Sequence, residues 1–74
     1  MMDNPNKKIS IHVNGESLTL ALGLTVRDFV LLQQLAPERV AVEYNRNILE
    51  RSQWVKTILR DQDQLEIVHF VGGG

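Results

Sequence analysis

Only one stretch of this chain has the length and apolar spacing of a substantial helix, and strand-like alternation lies on both sides of it. Val26, Phe29 and Val30 fall on one helical face, and Leu31 and Leu32 widen the stripe. Thr25 stands just before it with Asp28 at the third position after it, a capping box with Asp where Glu or Gln is the usual partner. Pro37 after the Leu35-Ala36 step ends the helix near Leu35. One helix cannot cover both faces of a sheet. The chain is therefore expected to be α+β, with a mixed sheet of four to five strands wrapped around one main helix.

The strands come from period-two alternation. Ile9, Ile11 and Val13 alternate with Ser10 and His12, and Leu18, Leu20 and Leu22 alternate with Thr19 and Ala21. Asn14-Gly15 lies between them, the strongest short hairpin signal, because a type I′ turn needs positive φ at both central residues. Gly23 and Leu24 break the second strand. Val40, Val42 and Tyr44 alternate with Ala41 and Glu43 as a third strand, Asn45-Arg46-Asn47 is a polar turn, and Ile48-Leu49 is a very short fourth strand. Ser52 is placed to cap a helical turn carrying Trp54, Val55 and Ile58. Asp61-Gln62-Asp63 is a turn, and Leu65 to Val71 is the last strand. With the first and last strands adjacent and parallel at the centre, this is a β-grasp roll. Its expected limits are a disordered leader over 1–8, the domain over 9–71, and a flexible glycine tail over 72–74.

Composition narrows the function. At 74 residues the chain makes one small domain, and such a domain buries only roughly 60% of its unfolded surface, so a deep enclosed cleft is not expected. The net charge of -1 and the absence of a basic run leave no electrostatic case for nucleic acid or an anionic membrane. No apolar stretch reaches transmembrane length, and Met1 to Lys8 lacks the apolar segment of a secretory signal. Zero cysteines exclude a disulfide framework, a thiolate zinc site and a thiol nucleophile on this chain, and fit a cytoplasmic protein.

The last strand runs straight into Gly72-Gly73-Gly74. Leu65, Ile67, His69 and Val71 share one parity, and Glu66, Val68 and Phe70 share the other. With Leu65 and Ile67 in the core, Val68 and Phe70 face outward beside the terminus as a surface for a partner. The alternative is that Phe70 folds over the sheet edge. The glycines are compatible with plain fraying. They also have a chemical reading: a tail without side chains threads a narrow channel, and the Gly74 carbonyl has no α-substituent to hinder attack. A carboxylate becomes electrophilic once activated, for instance as an acyl adenylate, which a sulfur nucleophile can displace.

The remaining polar residues read as structural. His12 alternates outward on the first strand, and His69 lies near the tail. Neither has a second ligand at metal spacing, so no metal is assigned. Asp61 and Asp63 suit turn chemistry better than acid–base catalysis. No Ser, His and Asp are placed in triad arrangement. Trp54 reads as packing over the sheet.

Taken together, Ile9 to Gly74 resembles the ThiS family of sulfur carriers of thiamin biosynthesis. The resemblance rests on Val13-Asn14-Gly15-Glu16, Thr25-Val26, Val40-Ala41-Val42, Asn45 with Ile48, Arg51 with Trp54, and Asp61-Gln62-Asp63. The closing run from Leu65 to Gly74 is its most specific piece. Gln62 stands where the family often has Gly, and Met1 to Lys8 is additional. The resemblance implies that an E1-like adenylyltransferase uses ATP to adenylate Gly74. Sulfur from a cysteine-derived persulfide on another protein then converts it to a thiocarboxylate, which thiazole synthase consumes. The carrier binds no cofactor itself, is a co-substrate rather than an enzyme, and suits a monomeric shuttle. Gly72 and Gly73 carry Gly74, and Val68 and Phe70 are the docking residues inferred from strand parity. Two relatives of the same fold compete. The molybdopterin-synthase small subunit usually has prolines just before its glycines, whereas the only prolines here are Pro5 and Pro37. A ubiquitin-like modifier would instead be joined to lysines.

Overall fold

The computed structural model describes residues 7–70. The elements run β1 (Lys8–Val13), β2 (Glu16–Ala21), α1 (Val26–Leu32), a short 3-10 turn (Pro37–Arg39), β3 (Val40–Tyr44), β4 (Asn47–Leu49), α2 (Arg51–Trp54) and β5 (Gln64–His69). They form one mixed sheet in the order β2-β1-β5-β3-β4. The central pair β1 and β5 is parallel, and every other pairing is antiparallel. This is the expected roll, and α1 covers one face of it.

The core lies between that face and α1. Ile9 and Ile11 of β1, Val40 and Val42 of β3, and Leu65 and Ile67 of β5 meet Val26, Phe29 and Val30 of α1. Trp54 and Leu59 complete the cluster. Burying large apolar side chains such as these contributes about 1.5–3 kcal/mol each, most of what offsets chain entropy in so small a domain. Trp54 is 1% exposed, and its indole N–H donates to the Leu49 carbonyl at 3.0 Å, so it is the packing residue its area suggested.

Local signals explain the element boundaries. Asn14 and Gly15 have φ of 51° and 86°, the positive pair of a type I′ hairpin. Asn45 and Arg46, at 49° and 77°, repeat it between β3 and β4. The α1 capping box is complete: Asp28 N–H donates to Thr25 Oγ1 and Thr25 N–H donates to the Asp28 carboxylate, both at 3.0 Å. The donated backbone N–H, with the Thr25 side chain second, holds Asp28 below the usual carboxylate range.

Several boundaries differ from the sequence reading. The expected helix end at Leu35 is corrected to Leu32. Gln34 takes a left-handed φ of 62°, Gln34 N–H donates to Leu31, and Leu35 N–H donates to Val30. That is a Schellman stop, hidden because Gln replaces the usual Gly. Leu35 then packs onto the core instead of extending the helix. Ser52 does not cap α2; Glu50 holds the cap position without a side-chain bond. Val55 and Ile58 are exposed. β2 stops at Ala21, leaving Leu22 exposed, and β5 begins at Gln64. Lys8 opens β1, although the leader was expected to run through it. Met1 to Asn6, Val71 and Gly72 to Gly74 lie outside the described residues.

Candidate functional site

The end of β5 is the region that the sequence singled out, and its alternation is observed. Leu65 and Ile67 are buried under α1. Glu66, Val68 and Phe70 point outward, with Val68 54% and Phe70 59% exposed. Phe70 does not fold over the edge. On the outer face Val68 lies opposite Ala41 of β3, and Glu66 lies directly opposite Glu43. Beyond the strand, Phe70 N–H donates to the Arg39 carbonyl at 2.9 Å, so the main chain stays on the β3 side up to the last described residue. Gly72, Gly73 and Gly74 follow outside the described residues.

A network of side chains fixes where β5 starts. Asp63 is 8% exposed and is the buried charged residue of the domain. Its Oδ2 accepts from Tyr44 OH at 2.7 Å and from Arg60 N–H at 2.8 Å, and its Oδ1 accepts from Asn45 Nδ2 at 3.2 Å. Asn45 Oδ1 in turn accepts Gln64 N–H at 2.9 Å. Burial, then the hydrogen bond to Asp63 and its charge, push the Tyr44 phenol up to about 12. Gln62, at the place where the resemblance expected Gly, has a φ of 72°, the left-handed conformation that Gly adopts most cheaply.

A second carboxamide holds β5 near its far end. Asn14 Oδ1 accepts Ile67 N–H at 2.9 Å, and Asn14 Nδ2 approaches the Ile67 carbonyl at 3.5 Å. The sequence marked Asn14 and Asn45 as turn formers and missed that both side chains bind β5. The one available signal was Asn, rather than Gly or Asp, at the first central position of each turn.

The histidines are not brought together. His12 Nε2 meets Gln62 Oε1 and His12 Nδ1 meets Ser17 Oγ, both at 3.3 Å, so the His12 ring is tied across the outer face rather than simply solvated. His69 is exposed at the end of β5. A shallow depression of about 280 Å³ beside the hairpin tip is lined by His12, Gly15, Gln64, Leu65 and Glu66. Among the described residues no group of three or more His, Cys, Asp or Glu stands close enough to share a metal ion. The geometry presents a paired strand and, at its end, two outward apolar side chains, Val68 and Phe70.

Comparison with known proteins is consistent with that geometry. The ThiS family model matches residues 11–74. The chain is 42% identical over 50 residues to the sulfur carrier protein ThiS of Bacillus subtilis, covering 68% of this chain and 76% of that protein. It is also 39% identical over 66 residues to a thiazole synthase of Magnetococcus marinus; the match takes in 89% of this chain and only 20% of that longer protein. The crystal structure of ThiS from Geobacter metallireducens superposes with a TM-score of 0.78 at 35% identity, over 89% of this chain and 100% of that one. The family model spans most of the chain, a relative and a solved structure agree with it, and the chain belongs to the ThiS family.

Proposed function

We propose that this protein is the sulfur carrier for formation of the thiamin thiazole, acting through a thiocarboxylate at Gly74. The observation that carries the reading is the family match, which runs through the terminal glycines rather than stopping at the domain. The exposed Val68 and Phe70 support it, because they put an apolar docking surface on the strand that leads into those glycines.

The chemistry follows from the carboxylate. An E1-like adenylyltransferase joins the Gly74 carboxylate to the α-phosphate of ATP and releases pyrophosphate. A cysteine-derived persulfide on a partner attacks the acyl adenylate and expels AMP, forming an acyl disulfide. A thiol then cleaves the S–S bond and leaves the Gly74 thiocarboxylate. Thiazole synthase takes the sulfur and returns the carboxylate. The presence of a matching segment within longer thiazole synthases supports that partner. The chain has no cysteine, and the scheme needs none on it. The carrier is a co-substrate that binds no cofactor, and cytoplasmic ATP drives its loading. No helix among the described residues is long and apolar enough to cross a membrane.

The test is mass spectrometry of the C-terminal peptide after incubation with ATP, the adenylyltransferase and a persulfide donor, followed by immediate alkylation. The expected product is an alkylated thiocarboxylate localised to Gly74 by fragmentation, which separates it from oxidation of Met1 or Met2. An unmodified carboxylate refutes the reading. An isopeptide bond to lysine replaces it with the protein-modifier reading.

A further inference from the structure

β5 outruns its parallel neighbour. β1 ends at Val13, opposite Leu65, whereas β5 continues to His69. The hydrogen bonds show which way each peptide of β5 faces. The Gln64 carbonyl accepts from Asn45 N–H and Phe70 N–H donates to the Arg39 carbonyl, so even-numbered residues face β3. The Leu65 carbonyl accepts from Asn14 N–H and Ile67 N–H donates to Asn14 Oδ1, so odd-numbered residues face the lane of β1. Among the described residues that lane holds no strand at Ile67, because the chain has already turned at Asn14-Gly15. The Asn14 carboxamide occupies it instead. A carboxamide has the acceptor and donor of a peptide unit. Here the acceptor bond is 2.9 Å and the donor contact is the longer one at 3.5 Å. Beyond Ile67, β5 is held from the β3 side, by its pairing with Val40 and Ala41 and by the Arg39 carbonyl.

We propose that Asn14 is a positioning residue for the acyl transfer at Gly74. Its side chain adds one rung to the parallel ladder and so sets the direction in which β5 leaves the sheet. That direction fixes where the tail starts on its way into the adenylating site. This inference rests on the carrier reading. Removing the rung leaves Val68 and Phe70 exposed and the β3 pairing intact, but lets the strand end swing about that pairing. A loss of orientation lowers the rate of the chemical step more than it weakens binding.

The experiment is ATP–pyrophosphate exchange by the adenylyltransferase with the full chain as varied substrate. Asn14→Gly keeps the turn, since Gly adopts positive φ freely, and removes the carboxamide. It is expected to lower kcat by at least about tenfold, toward the roughly 10²-fold that a 1 Å misplacement of a reacting group can cost, with KM for the carrier held within about twofold. Asn14→Asp keeps an acceptor for Ile67 N–H, loses the donor, and falls between the two. Amide hydrogen exchange supplies the second readout: in Asn14→Gly the Ile67 amide speeds up while those of Ile11 and Val42 keep their rates. Wild-type kcat in Asn14→Gly overturns the inference, as does a raised KM at unchanged kcat. If Asn14→Gly loosens the whole domain, the two variants are compared at a temperature where both are folded, and equal kcat values there overturn it. A wild-type chain that supports no exchange refutes the carrier reading itself, which separates that failure from this one.

Discussion

Replacing Asp63 tests whether the start of β5 is held by the network around its carboxylate. Asp63→Ala removes an acceptor from Tyr44 OH, Asn45 Nδ2 and Arg60 N–H at once. Tyr44 and Asn45 are partly exposed and can turn to water, so each bond counts about 1 kcal/mol, while the Arg60 N–H, left without a partner, adds about 1–2. The sum is about 3–4 kcal/mol, against roughly 4–11 kcal/mol of total stability for 74 residues. Asp63→Asn is milder. Its single oxygen, placed at Oδ2, keeps the Tyr44 and Arg60 bonds, but its nitrogen meets Asn45 Nδ2. Asn45 cannot turn round, because its Oδ1 accepts Gln64 N–H at 2.9 Å. One lost bond and two opposed amides amount to about 1–2 kcal/mol. The assay is urea unfolding followed by Trp54 fluorescence. With a slope near 1 kcal/mol/M, the midpoint falls by about 3–4 M for Ala and about 1–2 M for Asn, at unchanged slope. An Ala variant within about 0.5 kcal/mol of the parent, the range of an ordinary surface change, refutes the reasoning. So does an Asn variant as unstable as the Ala one, since both outcomes mean the geometry of the acceptor is irrelevant.

Further outcomes follow from single residues. The Tyr44 phenol is raised from 10.0 to about 12, so the folded state holds its proton more tightly than the unfolded chain. That stability is fully present below pH 10 and is lost as pH rises through about 12; Tyr44→Phe removes this alkaline dependence from denaturant midpoints measured across the window. Gln34→Gly at a φ of 62° relieves a left-handed non-glycine residue at the helix stop and raises stability by about 1 kcal/mol, or about 4–8 °C in the melting temperature. No change in the melt would mean the Gln34 backbone is not strained. Phe70→Asp leaves the melt within a few degrees, because the ring is 59% exposed, and weakens binding to the adenylyltransferase in calorimetry. A collapsed melt would make Phe70 part of the core, and an unchanged Kd would remove it from the docking surface.

Periodicity and turn chemistry are local, and the sequence determined what depends on them. The type I′ turn at Asn14-Gly15, the capping box of Thr25 with Asp28, the full span of β3 and the inward and outward alternation of β5 are all set by residues within a few positions of each other. The α+β class followed from counting one helix against several strands. The glycine tail and its resemblance to sulfur carriers were also legible as a linear string. Tertiary structure alone decided the rest. Gln34 reads as an ordinary helix residue until Leu35 is drawn onto the core and the chain must turn left-handed to let it pack. Asp63 reads as a turn acid until β3 and β5 close around it and bury it. Asn14 reads as a hairpin residue until β5 arrives 53 positions later and presents Ile67 N–H to its side chain. For Asp63 and Asn14 the deciding hydrogen bond joins segments far apart in the chain and exists only once the sheet has brought them within about 3 Å, while for Gln34 it is the packing of Leu35 on the core that selects a local turn.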